Sequence, residues 1–256
     1  MKALETDLSI FQKFAFEHAP VAVKFVFSKP EGIERIDRPA AFCEMIGIAQ
    51  RRDTPFYFTK SDEDCYGRVV LGMEEAPVIA EAGLLGERFG VFAEPRANER
   101  IYQYIPKFAK GTVNYAVFSR LDALTFEPDL LIVMADASQA EVVMRASSYS
   151  TGELWESVKT PVLSCAFIYA YPWLKGKINH TITGMGFGSK GKQAFPPGLV
   201  LISIPWDKMA MMVTNLEKMV WDLPAYSEGR EKFMQREERV RAEAMREAEL
   251  ELGPLS

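Results

Sequence analysis

The sequence predicts an α/β or α+β protein, a mixed sheet with helices around it, followed by a separate charged helix. Three observations carry that reading. Apolar runs of strand length, VAVKFVF at 21–27, LLIVMA at 130–135 and GLVLISI at 198–204, recur between stretches whose apolar residues return at helical spacing. Such interleaving belongs to sheet proteins covered by helices. With 256 residues, 48% of them hydrophobic, the chain can bury one substantial core or two half-domains that share one. From Ser227 onward the composition turns to Glu, Arg and Lys with few large apolar side chains, as in a solvated helix.

Taken in order, residues 2–17 space Leu4, Leu8, Phe11, Phe14 and Phe16 nearly as a helix does, and Pro20 ends the segment. VAVKFVF is a strand. PAAFCEMIGIAQR reads as a short helix started by Pro39 and carrying Cys43. PFYFT at 55–59 is a strand, and KSDEDCYGR a polar turn holding Cys65. The stretches 76–87 and 97–109 are two helices, the second broken near Pro106. VNYAVFSRL and PDLLIVMA are strands, the latter apolar throughout and therefore central. SQAEVVMRASSYSTG is a helix with a Ser138 cap and a Gly152 stop. KINHTIT alternates like a strand, TGMGFGSKGK is a glycine loop, GLVLISI is a strand, and residues 206–221 form a helix capped near Pro205. The expected division is one compact unit over 1–226, with half-units of about 1–110 and 111–226, and a charged helix and tail over 227–256.

No apolar run is long enough to span a bilayer, and the first twenty residues lack the continuous apolar block of an export signal. A soluble, cytoplasmic protein without membrane contact is expected. The formal charge of −5 is spread through the chain with no basic stripe, so nucleic acid is not an expected partner. Three cysteines are an odd number for a disulfide framework, which leaves free thiols, core fillers or ligands. Phe233, Val240 and Ala244 form a thin seam on the terminal helix, suited to a homodimer contact.

The two segments around Cys43 and Cys165 resemble each other, RPAAFCEMIGIA beside TPVLSCAFIYAY, each with Pro-x3-Cys before apolar residues. Cys65 follows Cys43 after 21 residues, and Met185 follows Cys165 after 19. These features suggest two similar halves related by duplication, with the three thiols and the Met185 loop facing one cleft.

At these motifs the chain resembles the prokaryotic family known as domain of unknown function 169. PVAVKF, FCEMIGIA, FYFTKSDEDCYGRVVLGM and PDLLIVMADASQAEVVMRASSYSTG followed by SCA carry the resemblance, over roughly residues 5–220. It implies three cysteine positions, here Cys43, Cys65 and Cys165, and no established reaction. Relatives place a further Cys-Gly turn followed by Arg near the glycine loop; Met185 and Lys190 stand there in this chain.

Three thiolates brought together suit a soft metal, above all an iron–sulfur cluster. The first functional reading is therefore a redox-related, cofactor-binding protein. Cys43, Cys65 and Cys165 would be the metal ligands, Met185 or His180 a fourth, and Gly67, Arg68, Gly184, Met185 and Gly186 would bind the cofactor. Two rivals stand beside it. One is a metal-free thiol enzyme with Cys65 as nucleophile and Arg68 beside it. The other is a small-molecule or protein-binding module whose thiols only pack. Asp62, Glu63 and Asp64 read as a solvated turn. The glycine loop fits neither the Walker nor the dinucleotide pattern, with no helix following it, and suits at most an anion or cofactor edge. His18 and His180 are the only histidines, and no Gly-x-Ser-x-Gly elbow occurs. The aromatics at 167–173 and Met209, Met211, Met212 and Met219 read as core.

Overall fold

Strands buried on both faces build the centre of this protein. The computed structural model describes residues 7–252, and within them seven strands form one mixed sheet: β1 (His18–Val26), β2 (Glu34–Arg35), β3 (Phe56–Thr59), β4 (Tyr115–Arg120), β5 (Leu130–Ala135), β6 (Asn179–Ile182) and β7 (Val200–Pro205). Their order is β2-β3-β4-β1-β5-β7-β6. Only β2 and β3 run parallel; the other neighbours are antiparallel. The order is the same read outward from the centre: β1-β4-β3 on one side and β5-β7-β6 on the other, so each triplet places its middle strand in sequence outermost. Pro20 has no N–H for the ladder, and the β1–β5 register shifts between His18 and Val21.

The helices are α1 (Met45–Gln50), α2 (Gly67–Val70), α3 (Val78–Glu81), α4 (Leu84–Arg88), α5 (Pro95–Tyr104), α6 (Ala137–Ser148), α7 (Tyr171–Lys175), α8 (Phe187–Gly191), α9 (Met209–Lys218) and α10 (Arg230–Leu252). Alternate residues of a strand point to opposite faces. Val21, Val23, Phe118, Leu130 and Ile132 accordingly join one core with Phe42, Met45 and Ile46 of the Cys43 segment and with Phe167–Ala170. All six residues of β5 are buried, as its central place requires. The α/β class and the charged terminal helix are as the sequence predicts. No helix among the described residues is long and apolar enough to cross a membrane. The chain forms two compact units, Met1–Glu217 and Lys218–Ser256.

Three local expectations change, and one segment left unassigned by the sequence gains its form. The helix over 2–17 is a 3-10 segment, Ser9–Phe14, stopped where Ala15 turns left-handed at φ 48°; Leu4 lies outside the described residues. Asp136, not Ser138, caps α6, because its carboxylate accepts the Gln139 N–H at 2.8 Å while Gln139 Oε1 accepts the Asp136 N–H. The stretch after Cys165 is a π-helical turn, Ala166–Ala170, running directly into α7. Inside the glycine loop a helical turn forms as α8, because the Phe187 N–H reaches the Pro161 carbonyl at 2.8 Å and Ser189 Oγ donates back to the Gly186 carbonyl.

Candidate three-thiol cavity

The Cys65 turn is built on two carboxylates that local composition places in solvent and the fold places inside. Asp62 accepts from the Thr59 N–H and Oγ1 and from the Arg35 guanidinium at 2.7–3.0 Å. Burial by itself would raise the Asp62 carboxyl, but the hydrogen bonds from Arg35 and Thr59 together outweigh it and hold the group below the usual value. Glu63 is 1% exposed. One of its oxygens accepts the Phe42 N–H at 3.0 Å and the other the N–H groups of Cys65 and Arg68 at 3.0 and 3.2 Å. The Glu63 side chain therefore ties the Cys43 segment to the Cys65 turn. Burial nevertheless lifts its carboxyl above the ordinary glutamate value. Gly67 is required by the same packing: a Cβ there would lie 2.3 Å from Phe42 Cβ and 2.7 Å from Glu63 Oε1.

Cys43 and Cys165 meet through their neighbours. Phe42 stacks on Tyr169 with ring centroids 3.9 Å apart, and the Tyr169 hydroxyl donates to the Phe42 carbonyl at 3.1 Å. All three cysteines line one cavity of about 300 Å³. Tyr66 and Tyr102 form part of its wall, with Leu85 and Val91 from α4 and the segment after it, and Val162 and Leu163 ahead of Cys165. Phe89 and Phe187, both partly exposed, meet across it at 5.3 Å.

At the exposed side of this chamber Lys192 Nζ donates to Cys65 Sγ at 3.5 Å. Burial opposes the ammonium charge, but the Cys65 sulfur, with Cys43 and Glu44, outweighs it and holds Lys192 above its ordinary pKa. Cys43 and Cys165 are neutral thiols. Burial first, and the neighbouring Cys65 sulfur second, push Cys43 up to about 12. Burial raises Cys165 well above the ordinary thiol value, with Cys43 and Glu63 adding to it. Tyr102 is also pushed up to about 12, mainly by burial.

This overturns the redox reading with an iron–sulfur cluster or soft metal on three cysteines. Among the described residues no group of three or more His, Cys, Asp or Glu side chains is placed to hold a metal ion. The physical reason lies in the thiols: metals take thiolates, two of the three are buried as neutral thiols, and the third faces an ammonium. Neither expected fourth ligand completes a site. Met185 is 63% exposed and outside the lining, and His180 sits on β6.

The remaining sequence candidates are dispersed. Arg68 faces away from the cavity, donating to the Glu63 carbonyl at 2.6 Å and pairing with Glu74. Gly184 takes φ 86° beside Pro197. Gly186 packs on Ser164, whose Oγ lies 2.0 Å from where a Cβ would sit, and so seats the glycine loop on the Cys165 segment. Asn98 and Ser164, unmarked in the sequence, both line the cavity, and Asn98 Oδ1 and Ser164 Oγ have no hydrogen-bond partner in the protein. A buried oxygen left so costs about 1–3 kcal/mol. Neither carries a sequence signal, because a lone Asn or Ser in a helix or loop is ordinary.

No solved structure matches the chain. Over 209 residues it is 27% identical to an uncharacterised protein, MJ0308, of Methanocaldococcus jannaschii, an alignment covering 78% of this chain and 88% of that one. Residues 9–215 match domain of unknown function 169, described as uncharacterised ArCR, and the chain belongs to that family.

Proposed function

We propose that the protein binds a small, largely apolar molecule in the three-thiol cavity and meets its polar end with Cys65. The observation that carries this is the Lys192–Cys65 contact of 3.5 Å at the exposed side of a cavity whose walls are mostly aromatic and aliphatic, with Asn98, Ser164 and Ser189 as the other polar groups. Ligand sites are built this way, with apolar walls and a few convergent polar groups. Gly188 supplies the test. It lines the cavity, and a Cβ there meets nothing within 4 Å, so a large side chain can fill the chamber without strain at its root. Fluorescence of 8-anilinonaphthalene-1-sulfonate is expected to rise on saturable binding to the native chain, and Gly188→Trp is expected to weaken that binding at least about tenfold with the unfolding midpoint kept. Undiminished binding by that variant removes the cavity as the site.

Three free cysteines support a reducing, cytoplasmic setting. For α10 the proposal is a homodimer contact: its large apolar residues Phe233, Met234, Val240 and Met245 are exposed along a helix otherwise dominated by charge. Light scattering is expected to give a dimer for the full chain and a monomer for a chain ending at Tyr226; the same mass per subunit count in both sinks the contact.

A further inference from the structure

We infer that Cys65 is an acyl-accepting nucleophile and that the cavity takes the acyl group of a thioester. The inference rests on the binding reading above and adds a substrate class to it. Four groups in one chamber carry it. Cys65 and Lys192 form the polar end. Asn98 is 2% exposed and Ser164 8%, and Asn98 Oδ1 and Ser164 Oγ stand without partners in the same lining. Buried polar groups left unpaired in a cavity are ready to pair with a ligand. The Ser164 hydroxyl can donate to a carbonyl oxygen, and Asn98 Oδ1 can accept from an N–H or O–H of the bound molecule.

The choice of a thioester follows from which protons are to hand. Lys192 keeps its proton, held by the neighbouring sulfur, so it serves as a charge and a proton donor and not as a base. Neither histidine of the chain is in the lining. With no base in the lining, attack is assigned to the thiolate form of Cys65, and the leaving group must depart without strong acid help. A thiolate does so, its conjugate acid having a pKa of about 8.5, whereas an alkoxide or amide anion does not.

The step balances. The Cys65 Sγ lone pair forms a bond to the carbonyl carbon, and the C=O π electrons move to oxygen, opposite the Lys192 ammonium and the Ser164 hydroxyl. Collapse re-forms the carbonyl and breaks the donor's C–S bond, and the donor leaves as a thiolate that takes its proton from solvent. The products are an acyl-Cys65 thioester and a free thiol, with no change of oxidation state. The aliphatic and aromatic walls accommodate the acyl chain.

The test uses the full chain and S-hexanoyl-N-acetylcysteamine, followed by intact mass and peptide mapping. One hexanoyl group is expected on Cys65, released by excess dithiothreitol, and absent in Cys65→Ala. Lys192→Met is expected to slow acylation roughly 100-fold. Lys192→Arg keeps the charge beside the sulfur and the oxyanion and is therefore expected to restore both iodoacetamide reactivity and acylation, a rescue by charge that a merely structural lysine would not produce. Ser164→Ala is expected to slow acylation and leave alkylation unchanged. If the apolar probe binds and iodoacetamide labels Cys65, yet the thioester acylates it no faster than in the denatured chain, the acyl inference is overturned and the binding reading stands. If the probe does not bind the native chain, the binding reading itself falls.

Discussion

Iodoacetamide at pH 8 is expected to alkylate Cys65 of the folded protein at least about 100-fold faster than Cys43 or Cys165. The thiolate is the attacking species, so the rate follows the ionised fraction and access together. With its pKa pushed up to about 12 by burial, Cys43 is ionised in roughly one molecule in ten thousand at that pH. Burial raises Cys165 as well, and like Cys43 it is only 9% exposed. Cys65 is half-buried, and its sulfur lies 3.5 Å from the Lys192 ammonium on the exposed side of the cavity. Raising the pH from 7 to 9 leaves Cys43 and Cys165 slow, because both values remain well below their raised pKa. In denaturant the three rates converge. Peptide mapping over time reads all of this, and three equally slow thiols in the native state would leave Cys65 as a packing residue only.

Glu63→Ala is expected to cost roughly 3 kcal/mol or more of folding stability, a large fraction of an ordinary domain's margin. The substitution leaves the N–H groups of Phe42, Cys65 and Arg68 without their acceptor in a buried place. It also unties the Cys43 segment from the Cys65 turn, so whatever probe binding survives should weaken with it. The pH dependence has a definite sign. Burial raises the folded pKa of Glu63, so its contribution is fully present below the unfolded glutamate value and declines as pH rises through the folded one. The gap between native and variant chains in urea unfolding is therefore widest near pH 4.5 and narrows toward neutrality. A variant as stable as the native chain would show that water replaces the carboxylate at no cost.

Glu63 also marks where local reading stops. The run SDEDCYGR looks solvated because three of its eight residues are acidic, and nothing within it announces that backbone N–H groups, one of them 21 residues away at Phe42, converge on one carboxylate. The Cys65 partner is still more remote, since Lys192 lies 127 residues along the chain. The glycine at 67 was visible, but its cause, the side chains of Phe42 and Glu63 pressed against it, was not.

Sequence by itself determined the α/β class, the strands β1, β3, β4, β5, β6 and β7, the charged character of α10 and the three cysteines as residues to watch. These follow from periods of two and 3.6 residues and from composition, which are local properties of the chain. Only the tertiary structure decided what the cysteines are. Stacking of Phe42 on Tyr169 brings Cys43 and Cys165 to one chamber, and burial in that chamber keeps both as neutral thiols. Lys192 reaches Cys65 alone. A thiol's ionisation depends on the dielectric and the charges around it in space, so identical side chains at three positions became two buried walls and one end in contact with a lysine.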